Sequence, residues 1–282
     1  MTASEQVELL AGAYTFTARV AGPEDGRLVL LLHGFPESSA SWLGELDALG
    51  EAGYRAVAPD LRGYSPGARP DGVEHYAMDH LVSDILAITG EIGGHSFDLV
   101  GHDWGGLIAW HVAARYPQRV RTLTVLSTPH PTAFRAALAG ELGGDQAERS
   151  WYADWFQEPG VAEESLLAEE GARLRRFMGT DAAVVDRHMA VLGNGPALTA
   201  ALSYYRANSF KEPVPIEPVT VPTLYVWSTD DVALGREAAE ATGDHVEGPY
   251  RFEVLEGVGH GIPTEAPAEV SRLLIDHISS VA

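Results

Sequence analysis

Cysteine is absent from this chain of 282 residues. Disulfides and every thiolate mechanism are therefore excluded, and the chain is expected to be cytoplasmic. Long apolar runs are absent too: those present, such as Leu28 to Leu32, are strand-sized and far short of the roughly 20 residues that a membrane-spanning helix requires. The first residues carry Glu5 and Glu8 and have neither a basic leader nor an apolar stretch, so no secretory signal is expected. Basic residues are scarce. With 19 Lys and Arg against 40 Asp and Glu the formal charge is -21, a field that repels phosphate backbones and anionic membrane surfaces. Neither nucleic acid nor a membrane is expected as a partner. The acidic run from Glu163 to Glu170 reads as a solvated helix face. No spacing of histidines and carboxylates resembles a ligand set, so neither a metal nor an organic cofactor is expected. What is present in quantity is apolar side chain, 45% of the residues, enough to bury the core of one large α/β domain or of a core with an insertion.

Short β-branched or leucine-rich runs alternate with longer helical patterns, which predicts a mostly parallel central sheet flanked by helices. The runs Leu28 to Leu32, Arg55 to Ala58, Phe97 to Val100, Thr122 to Leu126, Thr223 to Trp227 and Phe252 to Leu255 are continuous, as in strands covered on both faces. Helical spacing of apolar residues marks Ser41 to Ala52, Leu81 to Ile92 and Gly106 to Tyr116, the last stopped by Pro117. From Pro131 to Pro218 the alternation fails. That stretch is helical and aromatic-rich up to the proline-rich Pro213, Pro215 and Pro218, with prolines at both of its ends. It predicts a helical cap over 131–218, inserted into a core made of 1–130 and 219–282.

The segment Phe97 to Gly106 runs from an apolar strand through the glycine-flanked turn Gly101-His102-Asp103-Trp104-Gly105-Gly106 into a helix. Such a strand–turn–helix elbow forces one side chain outward, and here that side chain is the carboxylate of Asp103. A helix N-terminus stabilises an anion through its backbone N–H groups, and an ionised carboxylate needs no base in order to attack. Taken alone, Asp103 also fits a helix N-cap in an ordinary loop; its partners separate the two readings.

An acid and then a histidine are expected after later strands. Ser228-Thr229-Asp230-Asp231 follows the strand ending at Trp227, and Gly257-Val258-Gly259-His260-Gly261 follows the strand ending at Leu255. His260 is the expected base. Asp231 is favoured over Asp230 as the acid, and the other common location for it, after Leu126, holds Ser127-Thr128-Pro129 and no carboxylate. After the first strong strand, His33-Gly34-Phe35-Pro36-Glu37 should lend the N–H of Phe35 to an oxyanion hole completed by the N–H of Trp104. His33 and His102 read as structural.

His-Gly-Phe-Pro-Glu at 33–37, Gly-His-Asp-Trp-Gly-Gly at 101–106 and Phe-Gln-Glu-Pro-Gly-Val-Ala-Glu at 156–163 together resemble the soluble epoxide hydrolases of the α/β-hydrolase fold, over most of the chain. The first two motifs are shared with haloalkane and fluoroacetate dehalogenases; the third points to epoxide hydrolases. The resemblance implies two cap tyrosines that donate to the epoxide oxygen. Tyr152 matches the first and Tyr205 the second, although the family's Asn-Trp-Tyr-Arg is Ser-Tyr-Tyr-Arg here, which leaves Tyr204 as an alternative donor. Trp151 and Trp155 are expected to wall an apolar substrate pocket with Phe35 and Trp104. The expected partner is a small apolar epoxide, converted to a vicinal diol through an ester on Asp103; the oligomeric state is open and leaves room for a homo-oligomer. A haloalkane or haloacid dehalogenase using the same Asp103 is the nearest alternative, opposed by Phe35 where such enzymes frequently carry Asn and by Trp104 where fluoroacetate dehalogenases carry Arg. A more remote alternative is a ligand-binding member of the fold without turnover.

Overall fold

The structure, a computed structural model, describes residues 4–179, 181–210, 214 and 216–281. Its eight strands are β1 (Glu5–Ala11), β2 (Tyr14–Ala21), β3 (Leu28–Leu32), β4 (Arg55–Pro59), β5 (Phe97–His102), β6 (Val120–Leu126), β7 (Thr223–Ser228) and β8 (Tyr250–Leu255). They form one sheet in the order β1-β2-β4-β3-β5-β6-β7-β8. The pairs β1·β2 and β2·β4 are antiparallel and the other five are parallel. Helices α1 (Leu43–Glu51), α2 (Met78–Glu91) and α3 (Trp104–Arg115) link the parallel strands.

Residues alternate between the two faces along each strand. On β3, Val29 and Leu31 join Trp42, Leu46 and Leu49 in one buried layer. Leu28, Leu30 and Leu32 point the other way, into a layer with Ile85, Ile88, Ile108 and Val112. A parallel strand buried on both faces reads as an unbroken apolar run for this reason, and all five residues of β3 are buried.

Two strands escaped the sequence reading. β1 and β2 form a hairpin at the sheet edge with mixed burial, so their polar, partly exposed faces lack the continuous signature of the central strands. β8 is likewise only half-buried along its length.

Between β6 and β7 the named elements among the described residues are helices: α4 (Pro131–Leu138), α5 (Gln146–Arg149), α6 (Trp151–Trp155), α7 (Val161–Phe177), α8 (Ala182–Leu192) and α9 (Gly195–Ala207). α7 is interrupted at 168–171, where Glu169 and Glu170 take positive φ values of 51° and 57°. Pro213 and Pro215 of the expected proline-rich boundary lie outside the described residues. After β7 come α10 (Arg236–Ala241), α11 (Ile262–Glu265) and α12 (Pro267–Ser279); α12 adds Val270, Leu273, Leu274 and Ile278 to the layer that holds Trp42. Among the described residues no helix is long and apolar enough to cross a membrane.

Going outward from β3, β4 lies on one side and β5 on the other. The loops leaving the carboxyl ends of β3 and β5 therefore diverge, and a crevice at such a switch point is where open α/β sheets take ligands.

Candidate active site

Asp103 stands at that crevice, between the end of β5 and the start of α3, with φ 51° and ψ -120°. A non-glycine residue is strained there, at a cost of order 1–3 kcal/mol. Backbone packing enforces the turn: a Cβ on Gly101 would lie 2.3 Å from the carbonyl oxygen of Gly105, and one on Gly105 would lie 2.1 Å from that of Leu32. The Asp103 carbonyl is held in turn by the Thr128 hydroxyl at 2.8 Å.

Two groups converge on the Asp103 carboxylate, and a third donor stands beside it in the chain. The N–H of Phe35, in the loop after β3, donates to Oδ1 at 2.7 Å. His260 Nε2 lies 3.5 Å from Oδ2. The N–H of Trp104 opens α3, one of the first-turn donors that have no acceptor within their own helix.

On the far side of the imidazole, Nδ1 of His260 donates to Oδ2 of Asp231 at 2.8 Å. Asp231 is buried, and its Oδ1 accepts from the N–H groups of Ala233 and Leu234 at 2.8 and 2.9 Å. Burial alone would raise its pKa, but the facing imidazole and these donors hold it below the ordinary carboxylate value. Asp230, by contrast, is exposed, and among the described residues its side chain accepts only from Thr229. Burial opposes charge on His260 as well; the carboxylates of Asp231 and Asp103 outweigh it and raise its pKa well above the usual value. His260 in the resting protein is thus an imidazolium between two carboxylates.

The other two histidines near the site are fully engaged. His33 Nε2 accepts from the N–H of Leu61 and its Nδ1 donates to Gly34 O, which leaves it neutral, as burial also favours. His102 donates from Nδ1 to Glu37 at 3.1 Å and from Nε2 to the carbonyl of His260 at 2.8 Å. Both its nitrogens are donors, so it is protonated; burial opposes this, and Glu37 more than compensates. Its ring centre is 5.0 Å from that of His260. The Glu37–His102 pair fixes the His260 loop and sets a positive charge beside it.

Two cavities meet at Asp103. One, of about 240 Å³, runs past Trp104, Leu107 and Phe134. The other, of about 320 Å³, is bounded by Phe35, Trp151, Phe156 and Val232. Asp103, Tyr152 and Tyr205 line both. The two phenol rings sit 6.1 Å apart, edge to face, and burial followed by the Asp103 charge raises both pKa values, so both keep their protons. Tyr204 is committed elsewhere: its hydroxyl donates to Arg62 O at 2.8 Å, and it lines neither cavity. Trp151 reaches the second cavity although it is 53% exposed. Trp155 lies outside both linings, stacked on Trp151 with Arg173 over its ring.

The motif at 156–163 acts on Tyr205 from behind. Gln157 Nε2 donates to Tyr205 O at 2.9 Å, Arg206 Nε donates to Phe156 O at 2.9 Å, and Arg206 grips Glu163 with two bonds of 2.8 and 3.0 Å. Glu163 is 8% exposed, so the expectation of a solvated acidic face fails for this residue: α9 packs against the start of α7 and covers it. Burial disfavours its charge, and Arg206 reverses that, holding its pKa below the usual value. Removing one partner of a buried pair leaves an uncompensated charge. Glu163→Ala should therefore destabilise the fold by on the order of 3 kcal/mol, read as a lower denaturant midpoint.

A family model described as the alpha/beta hydrolase fold matches residues 27–267. The chain is 33% identical over 276 residues to the AB hydrolase superfamily protein YfhM of Bacillus subtilis (strain 168), covering 94% of this chain and 95% of that protein. It is 32% identical over 271 residues to epoxide hydrolase 3 of Xenopus tropicalis, covering 92% of this chain and 73% of that one. A solved epoxide hydrolase of Bacillus megaterium in complex with an inhibitor matches with a TM-score of 0.88 at 28% identity, over 97% of this chain and 100% of that chain. Strand order, elbow and sequence likeness agree, and this chain belongs to the epoxide hydrolases of the alpha/beta hydrolase fold.

Proposed function

We propose that this protein hydrolyses epoxides to vicinal diols through a covalent ester on Asp103. The observation that carries the reading is the placement of one carboxylate within reach of an imidazole, a backbone N–H and two phenols that share its cavities. Asp103 Oδ2 attacks an epoxide carbon, and the C–O bond to that carbon breaks. Tyr152 and Tyr205 donate to the departing oxygen; positioned proton donors of this kind contribute about 10² to 10⁴ in rate. The helices over 131–207 act as a cap that brings both phenols over the nucleophile.

Ester formation removes the charge of Asp103 and with it one of the two carboxylates that keep His260 protonated. Burial and the neighbouring His102 cation then favour the neutral imidazole, and the proton it sheds replaces the one the phenols gave to the departing oxygen. In that state His260, oriented by Asp231, takes a proton from water, which adds to the ester carbonyl carbon. The oxyanion is held by the N–H groups of Phe35 and Trp104, and collapse releases the diol and restores the carboxylate.

A dehalogenase would share Asp103, His260 and Asp231, but paired phenols suit an epoxide oxygen that must gain a proton. Incubation with styrene oxide and, separately, with short haloalkanes distinguishes the two. Diol without halide release is expected; halide release without diol would replace this reading with dehalogenation.

A further inference from the structure

The cavity of about 240 Å³ follows α3 away from the nucleophile. Trp104, Leu107 and His111 all line it, and steps of three and four residues put these side chains on one helix face. At 1.5 Å per residue, the distance along the axis from Asp103 to His111 is about 12 Å. Most of this length is apolar: Leu107, Phe134 and Phe210 line it, with Phe210 packed edge to face on Phe134 and stacked on Trp104 at 5.6 Å.

His111 breaks that pattern. Its Nδ1 lies 3.3 Å from an Arg115 guanidinium nitrogen. A guanidinium only donates, so Nδ1 accepts and the ring proton resides on Nε2. Burial, followed by the Arg115 charge, lowers the pKa to about 3, so the ring is neutral. Nε2 has no hydrogen-bond partner among the described residues. His111 is 2% exposed and lines the cavity. The nearby amide of Asn208 is already spent on Met78 N, Tyr76 O and Tyr204 O.

We propose that His111 is a specificity residue, donating from Nε2 to an acceptor atom on the substrate, so that the preferred epoxides carry an apolar arm with an ether, carbonyl or hydroxyl oxygen near its far end. This rests on the epoxide reading of Asp103. It extends that reading to the substrate class: not a purely hydrocarbon epoxide, but one polar at a distance from the ring of the order of the cavity's length.

The test compares 1,2-epoxydecane with its ether isostere, 8-methoxy-1,2-epoxyoctane, on the wild type, His111→Phe and His111→Gln. A lost hydrogen bond of ordinary strength is worth about tenfold. His111→Phe should therefore lower kcat/KM for the ether by about that factor, while epoxydecane changes by less than about twofold. His111→Gln, which retains an N–H, should restore part of the preference. Equal losses on both substrates, or no loss on either, would overturn the role of His111 while leaving epoxide hydrolysis standing. A wild type that turns over neither substrate would remove the epoxide reading and this proposal together.

Discussion

Replacing His260 with Gln should leave the first half of the reaction intact and block the second. Asp103 attacks as a carboxylate and needs no base, so excess epoxide should alkylate the variant in a burst of one equivalent per active site. The ester then has no group to deprotonate water. Steady diol formation should fall by about 10²- to 10⁴-fold, and intact-protein mass spectrometry should find the adduct. Asp103→Ala should show neither burst nor diol. Rapid steady turnover by His260→Gln would sink the assignment of the base. The wild type should behave similarly at low pH. Asp103 and Asp231 raise the pKa of the resting imidazole; loss of the Asp103 charge in the ester lowers it. Below that ester-state value His260 is protonated and cannot accept a proton, so ester breakdown should rise as pH rises through it, and the adduct should accumulate on the acid side.

The phenols should show the complementary defect. Tyr152→Phe and Tyr205→Phe each remove one donor from the departing oxygen, and each should slow alkylation by about tenfold to hundredfold, the double variant by about 10²- to 10⁴-fold. Ester breakdown, measured after alkylation has been forced to completion, should be nearly unchanged. Because both rings pack against Phe156, the Phe variants keep the apolar contacts and should fold. Tyr204→Phe is the control: its hydroxyl serves Arg62 O, so it should lower stability and leave the alkylation rate within about twofold. A double Phe variant that alkylates at the wild-type rate would assign the proton to another group.

The elbow and the chain order of the proposed catalytic residues were legible because strong local constraints write them into the chain. The glycines around Asp103 are dictated by backbone contacts closer than a Cβ permits. The order of Asp103, Asp231 and His260 follows from each standing just beyond a parallel strand that reads as an apolar run. The choice of Asp231 over Asp230 turns on burial and on two backbone donors, and that of Tyr205 over Tyr204 on which phenol the helix turns into the cavity. Neither is a property of local sequence.

What stayed hidden was tertiary. Glu163 reads as one more carboxylate in an acidic run until α9 supplies Arg206. His111 lies on a helix whose apolar pattern hides that one side chain ends in a cavity. The β1–β2 hairpin is half-exposed, so burial never imposed a clear period on it.

The central claim is that oxygen reaches the product by way of Asp103. Excess enzyme should be reacted once with styrene oxide in H₂¹⁸O, and both the Asp103 peptide and the diol examined by mass spectrometry. The account predicts label in the Asp103 carboxylate and an unlabelled diol from the first turnover, since the oxygen that stays on the substrate comes from the enzyme. Label in the diol with none in Asp103 would mean that water attacks the epoxide directly, and would contradict it.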